Sequence, residues 1–202
     1  VSISSDGDRV IIGAYNNDGA VLDGGNDGHA RVYEYSSGSW TQLGSDIDGE
    51  DSGDYSGHSV SISSDGSRVA IGAYNNDGNG SNSGHVRVYK YSSGSWTQLG
   101  SDINGEESGD GSGYSVSINS SGDRVAIGAR ENDGNGGSSG HVRVYEYSNG
   151  SWAQLKMEID GEAANDHSGF SVSLDSSGSR VAIGAPWNDD NEYDSGHVRV
   201  FD

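Results

Sequence analysis

The sequence contains no cysteine, a single proline and few cations. Without cysteine the chain can form neither disulfides nor thiolate metal sites. It has no run of eighteen apolar residues, so it predicts no membrane span. Its 31 acidic residues against 11 lysines and arginines give a formal charge of −20. Like charges repel, so the balance excludes a nucleic-acid partner bound through phosphates and leaves cations, cationic partners and neutral glycans.

An eleven-residue segment recurs four times in the chain. The copy "RVAIGAYNNDG" begins at Arg68, and near copies begin at Arg9, Arg124 and Arg180. The repeats that carry these copies cover residues 1–59, 60–115, 116–171 and 172–202, and the last one is incomplete. A period of about 56 residues is within reach of one four-stranded propeller blade and exceeds that of most helical repeats.

Each repeat contains four segments with β-type patterning. In the second repeat we predict strands over His58–Ser63, Arg68–Ala73, His85–Tyr91 and Ser95–Ile103. Val69 and Ile71 share one face of the second strand, and small residues share the other. Successive sheets can therefore stack a bulky face against a small one. The sequence predicts an all-β fold, a β-propeller of four-stranded antiparallel blades with no helices.

The connections between these strands alternate between the two ends of the sheet because the strands are antiparallel. The turns "SSDGS" and "SSGS" are short, whereas the loops "YNNDGNGSNSG" and "NGEESGDGSG" are long. The long loops are therefore expected on one face of the stacked blades. Most of the acidic residues lie in these loops or in the strand ends that lead into them, so we expect that face to be strongly anionic.

These motifs resemble the FG-GAP repeat family, a propeller type found in integrin α-subunit heads and in secreted bacterial and marine proteins. The segments "SGHSVS", "SGYSVS" and "SGFSVS" correspond to its FG half. The segments "IGAY", "IGAR" and "IGAP" correspond to its GAP half, which only Gly184, Ala185 and Pro186 match fully. The resemblance covers essentially the whole chain and implies an extracellular or cell-surface β-propeller.

The sequence departs from the family pattern in two ways. Members with the integrin-type calcium loop carry a DxDxDG segment between the first two strands, and here that turn is only "SSDGS" or "NSSGD". We therefore expect that calcium site to be absent. Full propellers of the family usually have seven blades, so three repeats and part of a fourth imply a fragment of a larger propeller.

The connections between repeats carry carboxylates at regular spacing, in "DGEDSGD", "NGEESGD" and "DGEAAND". Oxygen ligands two and four residues apart, with a glycine for the bend, suit a hard cation such as calcium. The candidate calcium ligands are Asp48, Glu50, Asp54, Glu106, Asp110, Asp160, Glu162 and Asp166. The competing interpretation is that the aspartates cap turns. No other cofactor is suggested.

Other repeated side chains are interpreted as structural. A histidine follows a glycine once in each repeat, but equivalent positions in different blades cannot meet at one ion. The recurring arginines are expected to pair with carboxylates or strand ends. The recurring tryptophans, Trp40, Trp96 and Trp152, are expected to shield the rim rather than to stack on sugars.

Trp187 differs from the other tryptophans because it breaks the repeat inside an acidic loop. It is the candidate ligand-binding aromatic, together with its acidic neighbours Asp189, Asp190, Glu192 and Asp194. Three sequons would accept N-glycans in a eukaryotic secretory pathway. Their asparagines are Asn79, Asn119 and Asn149.

The chain has no cysteine nucleophile, no HExxH and no GxSxG, which predicts a protein that is not an enzyme. The leading hypothesis is an extracellular module for adhesion, scaffolding or assembly through the acidic loop face, with protein or glycan partners at the cell surface or matrix. The alternative is a calcium-assisted carbohydrate-binding propeller. A third hypothesis is a carbohydrate-active enzyme whose chemistry lies outside these residues.

The fourth repeat lacks the "SWTQL" strand that completes each earlier one. Its third strand would therefore expose unpaired backbone groups, which recruit another strand. We expect further blades, of a longer chain or of neighbouring copies, to cover this edge.

Overall fold

In each five-stranded antiparallel sheet the first four strands lie in chain order because turns join neighbouring strands, and the fifth strand pairs with the third. The computed structural model describes residues 1–18 and 25–202, and within these ranges all regular structure is β. The first sheet contains β1 (Ser2–Ile3), β2 (Arg9–Ala14), β3 (His29–Ser36), β4 (Ser39–Gln42) and β5 (Ile47–Asp48). The second contains β6 (Ser59–Ile62), β7 (Arg68–Ala73), β8 (His85–Ser92), β9 (Ser95–Gln98) and β10 (Ile103–Asn104).

The third and fourth sheets repeat this order. The third contains β11 (Ser115–Ile118), β12 (Arg124–Ala129), β13 (His141–Ser148), β14 (Ser151–Gln154) and β15 (Ile159–Asp160). The fourth contains β16 (Ser171–Leu174), β17 (Val181–Ala185) and β18 (His197–Phe201). In the second sheet, β7 occupies the predicted residues. β6 is one residue shorter than predicted at each end, and β8 is one residue longer at its end.

The outermost strand is not continuous, and in this respect the prediction of one strand over Ser95–Ile103 is wrong. β9 pairs with β8 up to Gln98 and Tyr89, and β10 resumes pairing at Ile103 and Val86. Two more residues therefore lie on the outer strand than on β8 between these pairs. Gly100 lies in this bulge with a φ of 71°, a conformation that glycine adopts without strain.

The four sheets stack side by side as blades of a β-propeller. Their innermost strands, β1, β6, β11 and β16, are neighbours from one blade to the next. Each tight turn donates a backbone hydrogen bond to the next blade's turn, as in Ser5 N to Ser64 O and Ser64 N to Ser120 O, both 3.0 Å. These bonds set the spacing of the blades near the axis.

The hydrophobic core lies between blades rather than within one sheet. Val69 and Ile71 of the second blade pack into a cluster with Ile11 and Val32 of the first. Ala70, on the opposite face of the same strand, packs into the next cluster with the third blade. The predicted stacking of a bulky face against a small face is therefore confirmed at this second junction, whereas at the first junction Ile11 lies where the repeat has a small residue. Burial of this apolar area stabilises each junction.

The glycine of the "IGA" segment allows adjacent blades to approach closely. A Cβ on Gly72 would clash with the carbonyl oxygen of Gly113 in the third blade, and the same clash would occur between Gly13 and Gly57. At Gly184 of the fourth blade, a Cβ would meet only the Ser171 side chain within its own sheet. The glycine is therefore required where its strand lies against the neighbouring blade, because any larger residue would clash there.

Several of the recurring arginines join neighbouring blades, whereas the sequence predicted only that they pair with carboxylates or strand ends. Arg9 and Arg68 donate to the carbonyl oxygens of Gly66 and Gly122, in the next blade's tight turn, at 3.2 and 3.0 Å. On the other side, Arg87 donates to the carbonyl oxygen of Asp48 in the preceding blade at 2.7 Å. Each such bond satisfies a carbonyl that the sheet leaves unpaired.

The tryptophans on the outer strands do more than shield the rim. Trp96 donates its indole N–H to the carbonyl oxygen of Leu43 at 2.7 Å, and Trp152 donates to Leu99 at 2.7 Å. Each acceptor lies in the bulge of the preceding blade. Trp40 of the first blade has an exposed fraction of 47%.

Candidate functional site

The long connections lie at one end of every blade, as predicted. Ala73 pairs with His85 at the end of the hairpin that carries the long loop, and Asn104 pairs with His85 from the outer strand. We use the term loop face for this end. Its described residues are 15–18, 25–28, 49–58, 74–84, 105–114, 130–140, 161–170 and 186–196.

Three predicted calcium ligands are buried turn caps. Asp54, Asp110 and Asp166 are each at most 3% exposed. Each accepts a hydrogen bond from a backbone N–H three residues earlier, at 3.0–3.2 Å. Asp54 and Asp166 also accept a hydrogen bond from an asparagine of the next blade, Asn76 or Asn188, at 2.9 Å. Burial raises the pKa of Asp54.

The glutamates of the same loops face the following blade. Glu50 Oε1 lies 3.2 Å from Arg87 Nη1, and Glu106 Oε1 lies 3.5 Å from Arg143 Nη1. Glu162 makes the equivalent contact with Arg199 at 3.5 Å. These glutamates are more than 40% exposed, so each ion pair contributes little stability by itself.

The remaining ligand candidates lie in the short outer strands. Asp48 belongs to β5 and Asp160 to β15, and their backbone oxygens accept hydrogen bonds from Arg87 and Arg199 of the following blades. Burial and the nearby Glu158 raise the pKa of Asp160. Within each loop, the aspartates and the glutamate therefore contact different groups. Calcium binding in these loops stays a prediction.

The repeated histidines lie beside these carboxylates. His85 Nδ1 is 3.9 Å from Glu50 Oε2, and His141 Nδ1 is 3.8 Å from Glu106 Oε2. Burial and a neighbouring arginine lower the pKa of both histidines to about 4. Both rings are therefore neutral near pH 7, and neither contact is an ion pair there.

Three histidines each lie close to two carboxylates among the described residues. The groups are His29 with Asp46 and Asp48, His85 with Glu50 and Asp102, and His197 with Glu162 and Asp190. In the first group, Arg31 binds both oxygens of Asp46 at 2.9 and 2.7 Å. This arginine and its hydrogen bond lower the pKa of Asp46 to about 2, so that carboxylate already has a counter-charge.

The structure separates Trp187 from most of its acidic neighbours. The Trp187 ring makes edge contacts with the rings of His167 at 4.5 Å and Phe170 at 5.7 Å between centroids. Asp189 accepts a hydrogen bond from the N–H of Asp194 at 2.7 Å. Asp190 turns toward His197, with its Oδ2 3.7 Å from Nδ1, and the backbone N–H of Glu192 donates to Ser195 Oγ at 3.4 Å.

Ring contacts across the loop face connect residues of all four blades. We call this set the aromatic belt, and it comprises Tyr15, Tyr55, His58, Tyr74, Tyr114, Phe170 and Trp187. Arg130 lies over the Tyr114 ring at 3.9 Å. Tyr15 and Trp187 at its ends are 41% and 38% exposed. The belt therefore offers apolar and aromatic surface within an acidic face.

The sequence profile of the FG-GAP repeat matches residues 46–89 and 154–201. Each of these two segments is similar to the FG-GAP repeat. The first match spans β5 to β8, which includes the loop from Glu50 to Asp54, and the second ends within β18. No curated protein sequence matches the chain.

A solved structure titled Kuenenia stuttgartiensis Hydrazine Synthase is similar to this chain. The two share 14% sequence identity with a TM-score of 0.58. The alignment covers 99% of this chain and 57% of the other chain, so this chain spans a little over half of the other chain's length. A likeness at this identity supports a shared fold and carries no information on activity.

The asparagines of the three sequons lie in different environments of the blades. Asn119 is 3% exposed, and its side-chain nitrogen donates to Asp123 at 2.8 Å. Asn79 is exposed, but its side-chain nitrogen donates to the carbonyl oxygens of Gly105 and Glu106 at 2.9 Å. Asn149 is exposed in the turn between β13 and β14. Glycosylation stays a prediction, and Asn149 is the most accessible acceptor.

An apolar cavity of about 430 Å³ lies at the rim between the third and fourth blades. Leu155, Met157, Leu174, Val181 and Phe201 are among its lining residues. Leu155 is the repeat equivalent of Leu43 and Leu99, which accept the indole hydrogen bonds at the other two junctions. The cavity thus occupies the place that an outer-strand tryptophan fills elsewhere.

Sequence reasoning missed two features of the loop face. It treated the histidines and the carboxylates as unrelated. Each histidine is the first residue of a third strand. Sequence reasoning also missed the aromatic belt, although an aromatic ring or histidine precedes β6, β11 and β16 and a tyrosine follows the "IGA" segment in two repeats. A contact between blades can be predicted from sequence only when residues of one repeat are compared with residues of the next repeat.

The described residues contain no helix long and apolar enough to span a bilayer.

Proposed function

We propose that the chain is an extracellular, non-enzymatic β-propeller module for adhesion, scaffolding or assembly, and that it binds a protein partner through its loop face. The observation that carries this proposal is the convergence of the long acidic loops of every blade on one face. FG-GAP repeats are typically extracellular and are associated with protein–protein interaction. A dense anionic surface attracts cationic partners and speeds their association.

The non-enzymatic part of the proposal rests on the roles of the polar groups. The repeated arginines, Trp96, Trp152 and the buried loop aspartates hold turns or neighbouring blades. These are structural tasks that recur from junction to junction, whereas a catalytic site needs a distinct arrangement at one place.

The loop-face proposal is tested by two charge-matched variants. One variant changes one loop-face aspartate per blade to asparagine, at Asp18, Asp77, Asp133 and Asp189. The control changes one aspartate in each opposite tight turn, at Asp6, Asp65, Asp123 and Asp175. Most members of both sets accept a backbone hydrogen bond, which asparagine can retain.

Binding to a lysine-rich peptide is then measured by calorimetry at low and high salt. We expect the loop-face variant to lose most of the salt-sensitive affinity and the control to keep it. At about 0.1 M salt, exposed charges interact over only about 10 Å, so charges on the opposite face contribute little to binding at the loop face. Equal losses in both variants would refute the loop face as the binding surface.

Assembly is supported by the exposed faces of the first and fourth blades. Ile3 and Ile12 of the first blade are 60% and 40% exposed, and Val198 and Val200 of the fourth are 68% and 65% exposed. Buried apolar side chains occupy the equivalent faces at the junctions, and exposed apolar area is costly to hydrate. Light scattering and native mass spectrometry should show association that increases with concentration. A stable monomer at all concentrations would contradict assembly through these faces.

The alternative function, calcium-assisted carbohydrate binding, is favoured by the aromatic belt. Aromatic rings present flat apolar surfaces with polar edges, which suit stacking on sugar rings. A glycan array should lose signal with Trp187→Ala and keep it with Trp40→Ala, because Trp40 lies on the rim. Loss of signal in EDTA that calcium restores and zinc does not would support the calcium requirement.

A further inference from the structure

His85 is a buried imidazole whose ring nitrogen points toward two carboxylates. Its side chain is 2% exposed. Its Nδ1 lies 3.9 Å from Glu50 Oε2, which is beyond hydrogen-bonding reach. The ligand atoms of Glu50, His85 and Asp102 all lie within 4.8 Å of one another. An imidazole and two carboxylates thus meet at one buried place.

Three different elements hold these side chains in place. His85 opens β8, Asp102 immediately precedes β10, and the pairing of Asn104 with His85 fixes the two strands. Arg87 holds Glu50 by its other oxygen, Oε1, at 3.2 Å. Gln98 donates to Asp102 Oδ1 at 2.6 Å. Outer contacts of this kind orient the ligands of metal sites.

The donor set is one imidazole nitrogen and two carboxylates. Calcium takes about six to eight oxygen ligands, whereas imidazole with carboxylate suits zinc in tetrahedral geometry. At zinc–ligand distances of about 2.0–2.1 Å, tetrahedral ligand atoms lie about 3.3 Å apart. The three atoms, which lie within 4.8 Å of one another, would therefore approach by up to about 1.5 Å to close the site. We propose that Glu50, His85 and Asp102 bind a zinc ion at the junction of the first two blades.

The last junction contains the same donor set, supplied by a different loop. His197 Nδ1 lies 3.5 Å from Glu162 Oε2 and 3.7 Å from Asp190 Oδ2. Asp190 comes from the loop between β17 and β18, whereas Asp102 precedes an outer strand. Two carboxylates balance the charge of one divalent ion at each place, so the described residues offer two zinc sites.

The middle junction is a natural control. His141 and Glu106 lie 3.8 Å apart, as at the first junction. The position equivalent to Asp102 is Glu158, and no third carboxylate joins these two in a described group within 4.8 Å. His141 is therefore buried beside a glutamate like His85, but it lacks the second carboxylate that completes the donor set.

The test titrates the metal-depleted 202-residue chain with cobalt(II), followed by its visible absorption, and then with zinc in competition. We expect tetrahedral cobalt bands, two bound equivalents, displacement by zinc and no displacement by calcium. His85→Gln should lose one equivalent, whereas His141→Gln should keep both. Circular dichroism establishes that each variant is folded.

Asp102→Asn provides a second variant that leaves the buried ring in place, and it should also lose one equivalent. If His85→Gln does not fold, Asp102→Asn alone decides the outcome for the first site. Absence of zinc binding in the parent chain, or full binding in Asp102→Asn, would overturn the proposal. Loss of an equivalent in His141→Gln would also overturn it, because that result would assign binding to a pair rather than to the three-ligand set.

Discussion

The first and second blades carry nearly the same residues, but their outer sides make different contacts. Trp96 donates its indole N–H to Leu43 of the first blade, whereas Trp40, at the same position in the first blade, is 47% exposed. Arg87 reaches Asp48 and Glu50 of the first blade, whereas Arg31 turns back to Asp46 of its own sheet. The repeated residues thus act at junctions, and an identical residue in the first blade has a different partner from its counterpart in the second.

The largest expected effect comes from placing a side-chain atom at the closest contact between two blades. Gly72→Ala should lower the free energy of unfolding by about 3 kcal/mol, because the new Cβ meets the carbonyl oxygen of Gly113 and the blades must separate. Gly184→Ala, which meets only a serine side chain, should cost about 1 kcal/mol or less. Chemical denaturation of both variants measures the difference in the free energy of unfolding. Similar losses of stability would show that the glycine is required by its own strand and not by contact with the neighbouring blade.

The next effect concerns a histidine buried at the middle junction. The pKa of His141 is about 4 in the folded chain against 6.5 for an exposed histidine, because of burial and Arg143. Glu106, Asp110 and Glu158 also face this ring and favour its charged form only weakly. As the pH falls below 6.5 the unfolded chain binds the proton first, so stability present above pH 6.5 is lost toward pH 4.

For this one residue the loss between pH 7 and pH 5 is about 2 kcal/mol. His141→Gln should therefore flatten the decline in stability between these pH values by about that amount. Denaturation of parent and variant at both pH values measures it. Parallel declines would mean that the ring is solvated or that its burial relaxes on protonation.

A smaller effect separates the bonded tryptophans from the unbonded one. Trp96→Phe should cost about 1.5 kcal/mol, since the Leu43 carbonyl loses its donor and some buried area is lost. Trp40→Phe keeps the same neighbour, a tyrosine ring at 5.3 Å, and should cost less than about 0.5 kcal/mol. Thermal unfolding of the two variants side by side is the measurement. Equal costs would make the tryptophan a rim shield, as the sequence alone suggested.

The smallest effect adds a contact that one blade lacks. Arg9 and Arg124 bind Glu34 and Glu146 across the sheet at 2.7 and 2.8 Å, but Arg68 lies opposite Lys90. Lys90→Glu should stabilise the chain by about 0.5 kcal/mol at low salt, and less at high salt. Lys90→Gln serves as the control for removing the positive charge, and an equal gain from it would leave no role for the ion pair.

Much of the fold could be predicted from sequence because its signals are local. Alternation of Val69, Ala70 and Ile71 predicts both the strand and its two faces, and glycines mark the turns. The break in the outer strand was missed, because two extra residues around Gly100 leave the hydrophobic pattern readable as one long strand. The candidate site was predicted only as acidic loops, since the contact of Glu50 with His85 joins different repeats and has no local signature.

The junction contacts share one further property, which is the length of chain that each one closes. Trp96 and Leu43 are 53 positions apart, Arg9 and Gly66 are 57 apart, and Ile62 and Ser2 are 60 apart. Because loop-closure entropy depends only weakly on length, every junction has nearly the same entropic cost, and folding can begin at any pair of blades and spread by one neighbour at a time. The rate of folding is then governed by the first pair that docks, and the order of unfolding by whichever blade has only one neighbour.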